Sequence, residues 1–232
     1  MRVLVACEYS GRVRDAFIRA GHLAMSCDFL PTESPGPHYQ GDVRHVIYDG
    51  WDLMIAHPTC TYLTSAGLHW NTRGVLVDGR PRAELTEEAL EFVRFLLQAP
   101  IPRIVLENPV GCIGTRIRKA DQTIQPYEFG EDASKATCLW LKGVPPLVKD
   151  PAKRFPGRWC LQKNGKTVER WGNQTDSGQN KLAPSDDRWK LRALTYPGIA
   201  QAFADNWGGG ELILPAEKPA PRVQVQACLF DP

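Results

Sequence analysis

Two short apolar runs, Leu53-Met54-Ile55-Ala56 and Ile104-Val105-Leu106, are separated by one long stretch in which Leu85, Ala89, Leu90, Phe92, Val93, Leu96 and Leu97 recur at helical spacing. Glu87, Glu88 and Glu91 occupy the opposite face of that stretch, and Pro100 stops it. A strand, a helix with one apolar face and a second strand in that order form a crossover. The two strands are then parallel, with their carboxyl ends side by side.

The amino terminus repeats the pattern. Val3 to Ala6 is an apolar run, Cys7-Glu8-Tyr9-Ser10-Gly11 is a turn, and Val13, Phe17, Ile18 and Ala20 fall at helical spacing. Gly21 caps that helix, and Leu23 to Cys27 reads as the next strand with Asp28 at its end. The expected fold class is α/β, with a doubly wound, mostly parallel sheet.

A chain of 232 residues that is 43% hydrophobic can bury one substantial core. No stretch of about 18 apolar residues occurs, and Met1-Arg2-Val3-Leu4-Val5 leads directly into a strand, so a cytoplasmic location without membrane contact is expected. The seven cysteines include no Cys-x-x-Cys pair and are odd in number, which favours reduced thiols over a disulfide framework. None of the five histidines is paired at metal-ligand spacing, and no metal is expected.

Chemistry enters where the two parallel strands end. The first leads into Pro58-Thr59-Cys60 and the second into Glu107-Asn108-Pro109. Cysteine is a common packing residue. Cys60, however, follows a proline in a turn just past a strand, where open α/β sheets place their ligands. A thiolate and a carboxyl group brought together there suit addition to an electron-poor pyrimidine: sulfur attacks C6 while the acid engages N3, and C5 becomes nucleophilic.

On these residues the chain resembles the DNA cytosine-5 methyltransferase family, and specifically a compact, phage-like member without a large target-recognition domain. The family's nucleophile lies in a Pro-Pro-Cys loop and its ring-binding glutamate opens a Glu-Asn-Val motif. Here Thr59 replaces the second proline and Pro109 the valine. The resemblance implies a Rossmann-like fold and S-adenosyl-L-methionine (SAM) as cofactor. It implies Cys60 as nucleophile, Glu107 on the ring, Asn108 holding loop or ring, and Pro58 shaping the turn. Glu8, Tyr9, Ser10, Gly11, Asp28 and Asp42 are the corresponding cofactor residues, with Gly41-Asp42 near the adenine. Thr59 and Lys135 are the substrate-binding candidates, Lys135 standing where the family's Gln-x-Arg-x-Arg strand has no counterpart in this chain. The stretch 64 to 82 is expected to be irregular, a mobile lid on which His69, Trp70 and Arg73 contact substrate. Tyr196 and Gly198 are expected to touch the cofactor.

Residues 1 to 141 thus form the first part of the catalytic domain and 185 to 210 its carboxyl-terminal return, followed by a tail at 211 to 232. Residues 31 to 40 are expected to be a loop, and Cys138 and Trp140 to be packing residues. Residues 142 to 184 form a short basic insertion. The stretch 142 to 192 holds twelve Lys/Arg against five Asp/Glu, a net +7 in a chain of net +2, with Phe155, Trp159, Trp171 and Trp189 interleaved. Basic groups with aromatic faces suit contact with phosphates and bases. DNA with low sequence selectivity, a free cytosine nucleotide such as dCMP, and a catalytically silent nucleic-acid-binding role remain open at this point.

Overall fold

The computed structural model describes residues 1–209. The amino-terminal unit consists of β1 (Arg2–Ala6), α1 (Arg12–Arg19), β2 (Leu23–Asp28) and β3 (His38–Gln40). Next come β4 (Leu53–Ala56), α2 (Ser65–Thr72), the two-residue strands β5 (Leu76–Val77) and β6 (Arg80–Pro81), α3 (Arg82–Gln98) and β7 (Arg103–Pro109). The described chain then runs through α4 (Ile113–Arg116), β8 (Gln122–Ile124), β9 (Thr137–Lys142), β10 (Arg158–Leu161), β11 (Thr167–Arg170), α5 (Arg188–Ala193) and α6 (Pro197–Trp207). The expected tail at 211 to 232 lies outside the described residues.

Seven strands form one sheet in the order β3-β2-β1-β4-β7-β9-β8. The first five are mutually parallel, and β9 runs antiparallel to both β7 and β8. The crossover through α3 pairs Leu53 with Arg103 and Ala56 with Leu106, so the loops after β4 and β7 leave the sheet side by side. The sheet is doubly wound, mostly parallel and Rossmann-like, the type that the resemblance implies for SAM-dependent methyltransferases.

Alternation along each strand divides the core in two. Leu4, Met54, Ile104 and Trp140 pack on one face with Leu90, Val93 and Leu96 of α3. Val3, Val5, Ile55, Val105 and Leu139 pack on the other with Phe17 of α1 and Phe203 and Trp207 of α6. Burying each such side chain contributes about 1.5 to 3 kcal/mol. Cys138 and Trp140 belong to this packing, both being buried.

Two stretches differ from expectation. His38–Gln40, expected to be loop, adds a parallel edge strand to β2 through Ser26, Cys27 and Asp28. Three residues at a sheet edge show too few alternations for a period to be read. The segment 64 to 82 is not irregular: it contains helix α2 and the β5–β6 ribbon. No residue of α2 is buried, so it has no apolar stripe to announce it. His69, Trp70 and Arg73 stack with one another there rather than on the cavity described below.

Arg14 appears in the sequence as one of the polar residues of α1, yet it is completely buried. Its guanidinium donates to Asp15 Oδ1 at 2.8 Å, to the hydroxyls of Ser26 and Thr32, and to the carbonyls of Ser34 and Pro35. The proline-rich loop after β2 therefore folds back over α1 and supplies the oxygens that a buried cation requires. Arg14→Leu is expected to lower stability by roughly 3 kcal/mol or more, because several buried acceptors lose their donor at once. Urea denaturation would measure this as a fall in the transition midpoint.

Candidate active site

The turn after β1 begins at Cys7, a non-glycine residue with φ 60, and ends at Gly11 with φ 74. A Cβ at Gly11 would collide with the Arg14 guanidinium, so glycine is required there for space as well as for backbone angle. Glu8, expected on the cofactor, lines the cavity described below and turns its carboxylate to helix α1. It accepts from the backbone N–H groups of Val13 at 2.7 Å and Arg14 at 3.2 Å, and from the Ser10 hydroxyl. The free amides at a helix start attract an acid, and Glu8 meets that need from three residues before the first helical turn.

The loops after β4 and β7 are laced together. Asn108 Nδ2 donates to the Pro58 carbonyl at 2.7 Å, and Cys112 N–H donates to the Leu63 carbonyl at 2.9 Å. A bridge joins Thr64 to Gly111, where a Cβ would run into the Leu63 carbonyl. Arg82 of α3 adds an anchor from below, donating to the Thr61 carbonyl at 2.6 Å and to Asn71 of α2 at 2.7 Å. The turn carrying Cys60 is thereby fixed to β7 and α3 rather than left to move alone.

Above these strand ends lies a cavity of about 490 Å³. Cys60 and Glu107 both line it, as do Pro58, Thr59, Asn108 and Lys135. Tyr9, Ser10 and Asp28 line its other side. A second cavity of about 280 Å³ shares Cys7, Asp28 and Thr59 with the first and is completed by Asp42, Phe29 and Phe92. Asp28 stands where the two meet. Its carboxylate accepts from Leu30 N–H, and burial raises its pKa above the usual range against the pull of that bond. Asp42 caps the short helical turn at Val43–His45 and pairs with Arg44 at 2.8 Å, bonds that hold its carboxyl low despite partial burial. Tyr196 and Gly198, expected on the cofactor, do not line either cavity. Gly198 packs against the Phe129 carbonyl and donates to Glu131.

Two groups at the centre have opposed electrostatics. Burial pushes the Cys60 thiol pKa up, and the Glu107 charge adds to this, while Lys135 and Arg192 pull it down without prevailing. Burial also acts to raise Glu107, but a hydrogen bond from His57 and the charges of Lys135 and His57 outweigh it and hold the carboxyl below its usual range. Glu107 is therefore ionised and Cys60 protonated at neutral pH. Alkylation of Cys60 by iodoacetamide, followed by peptide mass mapping, should be slow at neutral pH and rise with a midpoint above the ordinary thiol value. A midpoint below that value would contradict the arrangement.

One contributor, His57, was not foreseen from the sequence. His57 Nδ1 lies 3.1 Å from Glu107 Oε2, and both side chains are largely buried. The available signal was positional: Ala56 pairs with Leu106, so the next residue on each strand meets its neighbour. The segment 185 to 210, expected as the carboxyl-terminal return, supplies Trp189, Arg192 and Ala193 of α5, then Leu194 and Thr195, to the cavity wall. Tyr9 Oη donates to the Lys190 carbonyl at 3.2 Å, Lys135 Nζ to that of Arg192 at 2.8 Å, and Arg12 to that of Thr195 at 3.0 Å.

No family model matches the chain, and no curated protein does. Solved structures that match include one from Escherichia coli, described as a candidate DNA modification methyltransferase encoded within a prophage. It is 14% identical with a TM-score of 0.39, covering 61% of this chain and 46% of its own. The chain thus spans less than half that protein's length, and a likeness so distant bears on neither substrate nor reaction. Among the described residues no group of three or more His, Cys, Asp or Glu is placed to hold a metal ion, and no helix is long and apolar enough to cross a membrane.

Proposed function

We propose that the protein transfers a methyl group from SAM to C5 of cytosine, through a covalent adduct at Cys60. The observation that carries this reading is the presence of the Cys60 thiol and the Glu107 carboxyl in one cavity, joined to a second cavity at Asp28. The donor set fits the cofactor: an acid at the end of β2 for ribose hydroxyls, a glycine turn after β1 for close backbone approach, and Phe29 and Phe92 for an adenine face. When bound, SAM supplies an electrophilic methyl group. Cys60 adds to C6, Glu107 engages N3, and Asn108 keeps the Cys60 loop in register with β7.

DNA is the favoured substrate, with low sequence selectivity. Residues 142 to 184 form the short basic insertion in place of a target-recognition domain. Of the basic groups in the +7 stretch, Lys149, Arg154, Arg158 and Lys190 are engaged in ion pairs, which leaves more positive charge than one nucleotide phosphate calls for. The β10–β11 hairpin also exposes Trp159 and Leu161, at 70% and 75%. Specific DNA interfaces bury about 1,000 to 2,500 Å² of protein, more than so short an insertion offers for reading several base pairs. The target cytosine would have to leave the duplex to reach Cys60.

Incubation with labelled SAM and, in turn, duplex DNA, single-stranded DNA and dCMP tests the reading. Label is expected in DNA cytosine at C5; label in dCMP alone would move the substrate to the free nucleotide. Absence of label from all three would leave the silent binder. DNA affinity is expected to fall steeply between low and moderate salt as phosphate counterions compete, and a flat response in a filter-binding series would count against backbone contact.

A further inference from the structure

Glu107 poses a chemical difficulty that the residues beside it resolve. Addition of sulfur to C6 pushes electrons onto N3, which needs a proton, and an ionised carboxylate has none to give. His57 is hydrogen-bonded to that carboxylate through Nδ1 at 3.1 Å. An ionised carboxylate only accepts, so the hydrogen of this bond belongs to Nδ1. His57 Nε2 is buried and has no hydrogen-bond partner among the described residues. Such an orphaned nitrogen costs roughly 1 to 3 kcal/mol in a packed protein and persists most readily at a working site.

We propose that His57 acts through Glu107, its Nδ1 supplying the proton that the Glu107 carboxyl passes to N3 of the pyrimidine as Cys60 adds; this rests on the cytosine reading above. The step balances. The Nδ1–H bond of an imidazolium breaks and an O–H bond forms on Glu107. The Cys60 S–H bond breaks first, its proton passing to solvent water; then the Glu107 O–H bond breaks as N3–H forms, the thiolate lone pair becomes the S–C6 bond, the C5–C6 π pair shifts to C4–C5, and the C4–N3 π pair takes the proton. Elimination at the end of the cycle returns the N3 proton by the same route.

The other titratable or charged groups lining the cavity are Cys60 on the same loop as His57, Lys135 before β9, Arg192 on α5, and Cys7, Glu8, Tyr9 and Asp28 on its other side. Glu8 is occupied by α1. Of these groups and His57, it is His57 that is hydrogen-bonded to the Glu107 carboxylate, which makes it the group placed to hand that carboxylate a proton. Its role is to position and recharge Glu107, and Glu107 is the group that meets the ring.

The test is a pH–rate series of methyl transfer to duplex DNA by wild type, His57→Asn and His57→Gln, with circular dichroism to confirm folding. Wild type should give a bell-shaped profile, since transfer needs one group deprotonated and another protonated. Asparagine can still donate to Glu107 but cannot carry a proton. It is expected to lower kcat by about 100-fold, the lower range of general acid–base effects, with little change in KM, and to turn the bell into a single rise with pH. A variant that keeps the wild-type profile, whatever its kcat, would make His57 merely structural and overturn the proposal. So would a wild-type profile with no falling limb, a result that depends on no variant. Failure of wild type to label any cytosine would instead remove the underlying reading.

Discussion

Cys60→Ala is expected to abolish methyl transfer, with a loss of at least about 1,000-fold, because removal of a covalent nucleophile deletes a step instead of weakening a contact. Asp28, Asp42 and the glycine turn lie on the other side of the cavity or in the second one, so SAM affinity, measured by calorimetry, should remain within a few-fold of wild type. The two readouts together are diagnostic. Activity retained in the variant would refute the covalent mechanism at Cys60 outright, since among the described residues the other cysteine lining this cavity is Cys7, whose thiol burial and the charge of Asp28 hold protonated. Loss of both activity and cofactor binding would point to a damaged fold.

Glu107→Gln is expected to slow transfer by about 100- to 10,000-fold, the range of a lost general acid or base. The same substitution should have the opposite effect on the thiol. The Glu107 charge is one of the two causes that raise Cys60, and Lys135 and Arg192 remain in place to lower it. Iodoacetamide should therefore alkylate Cys60 faster in the variant than in wild type at the same pH. A disordered site would lose the first property without gaining the second in this graded way, and slower alkylation in a folded Glu107→Gln protein would show that the two groups do not sense each other.

Much of this arrangement was legible in the chain because parallel strands buried on both faces must be apolar throughout. Val3 to Ala6, Leu53 to Ala56 and Ile104 to Leu106 are such runs, and the periodic α3 between the last two fixed their neighbourhood. From there, the juxtaposition of Cys60 and Glu107 followed from the crossover. What stayed hidden had no pattern of its own. Helix α2 buries nothing, β3 is three residues long, and Arg14 is buried only because a distant proline-rich loop returns over it. The bond from Glu8 to the helix was hidden for a related reason: an acid in a turn before a helix serves a ligand, the helix or both, and only the positions of the Val13 and Arg14 amides reveal it. His57 directly precedes Pro58 but belongs to no motif; its place beside Glu107 comes from the register of β4 on β7.

The roof formed by α5 is gripped by Tyr9, Arg12 and Lys135, and each of them takes hold of a main-chain carbonyl. Every residue type offers that oxygen. Apart from Arg192, whose charge reaches Cys60, the side chains of the roof are consequently interchangeable in content while their location is pinned, so the rest of this short helix can be rewritten to suit a different guest without disturbing the machinery beneath it.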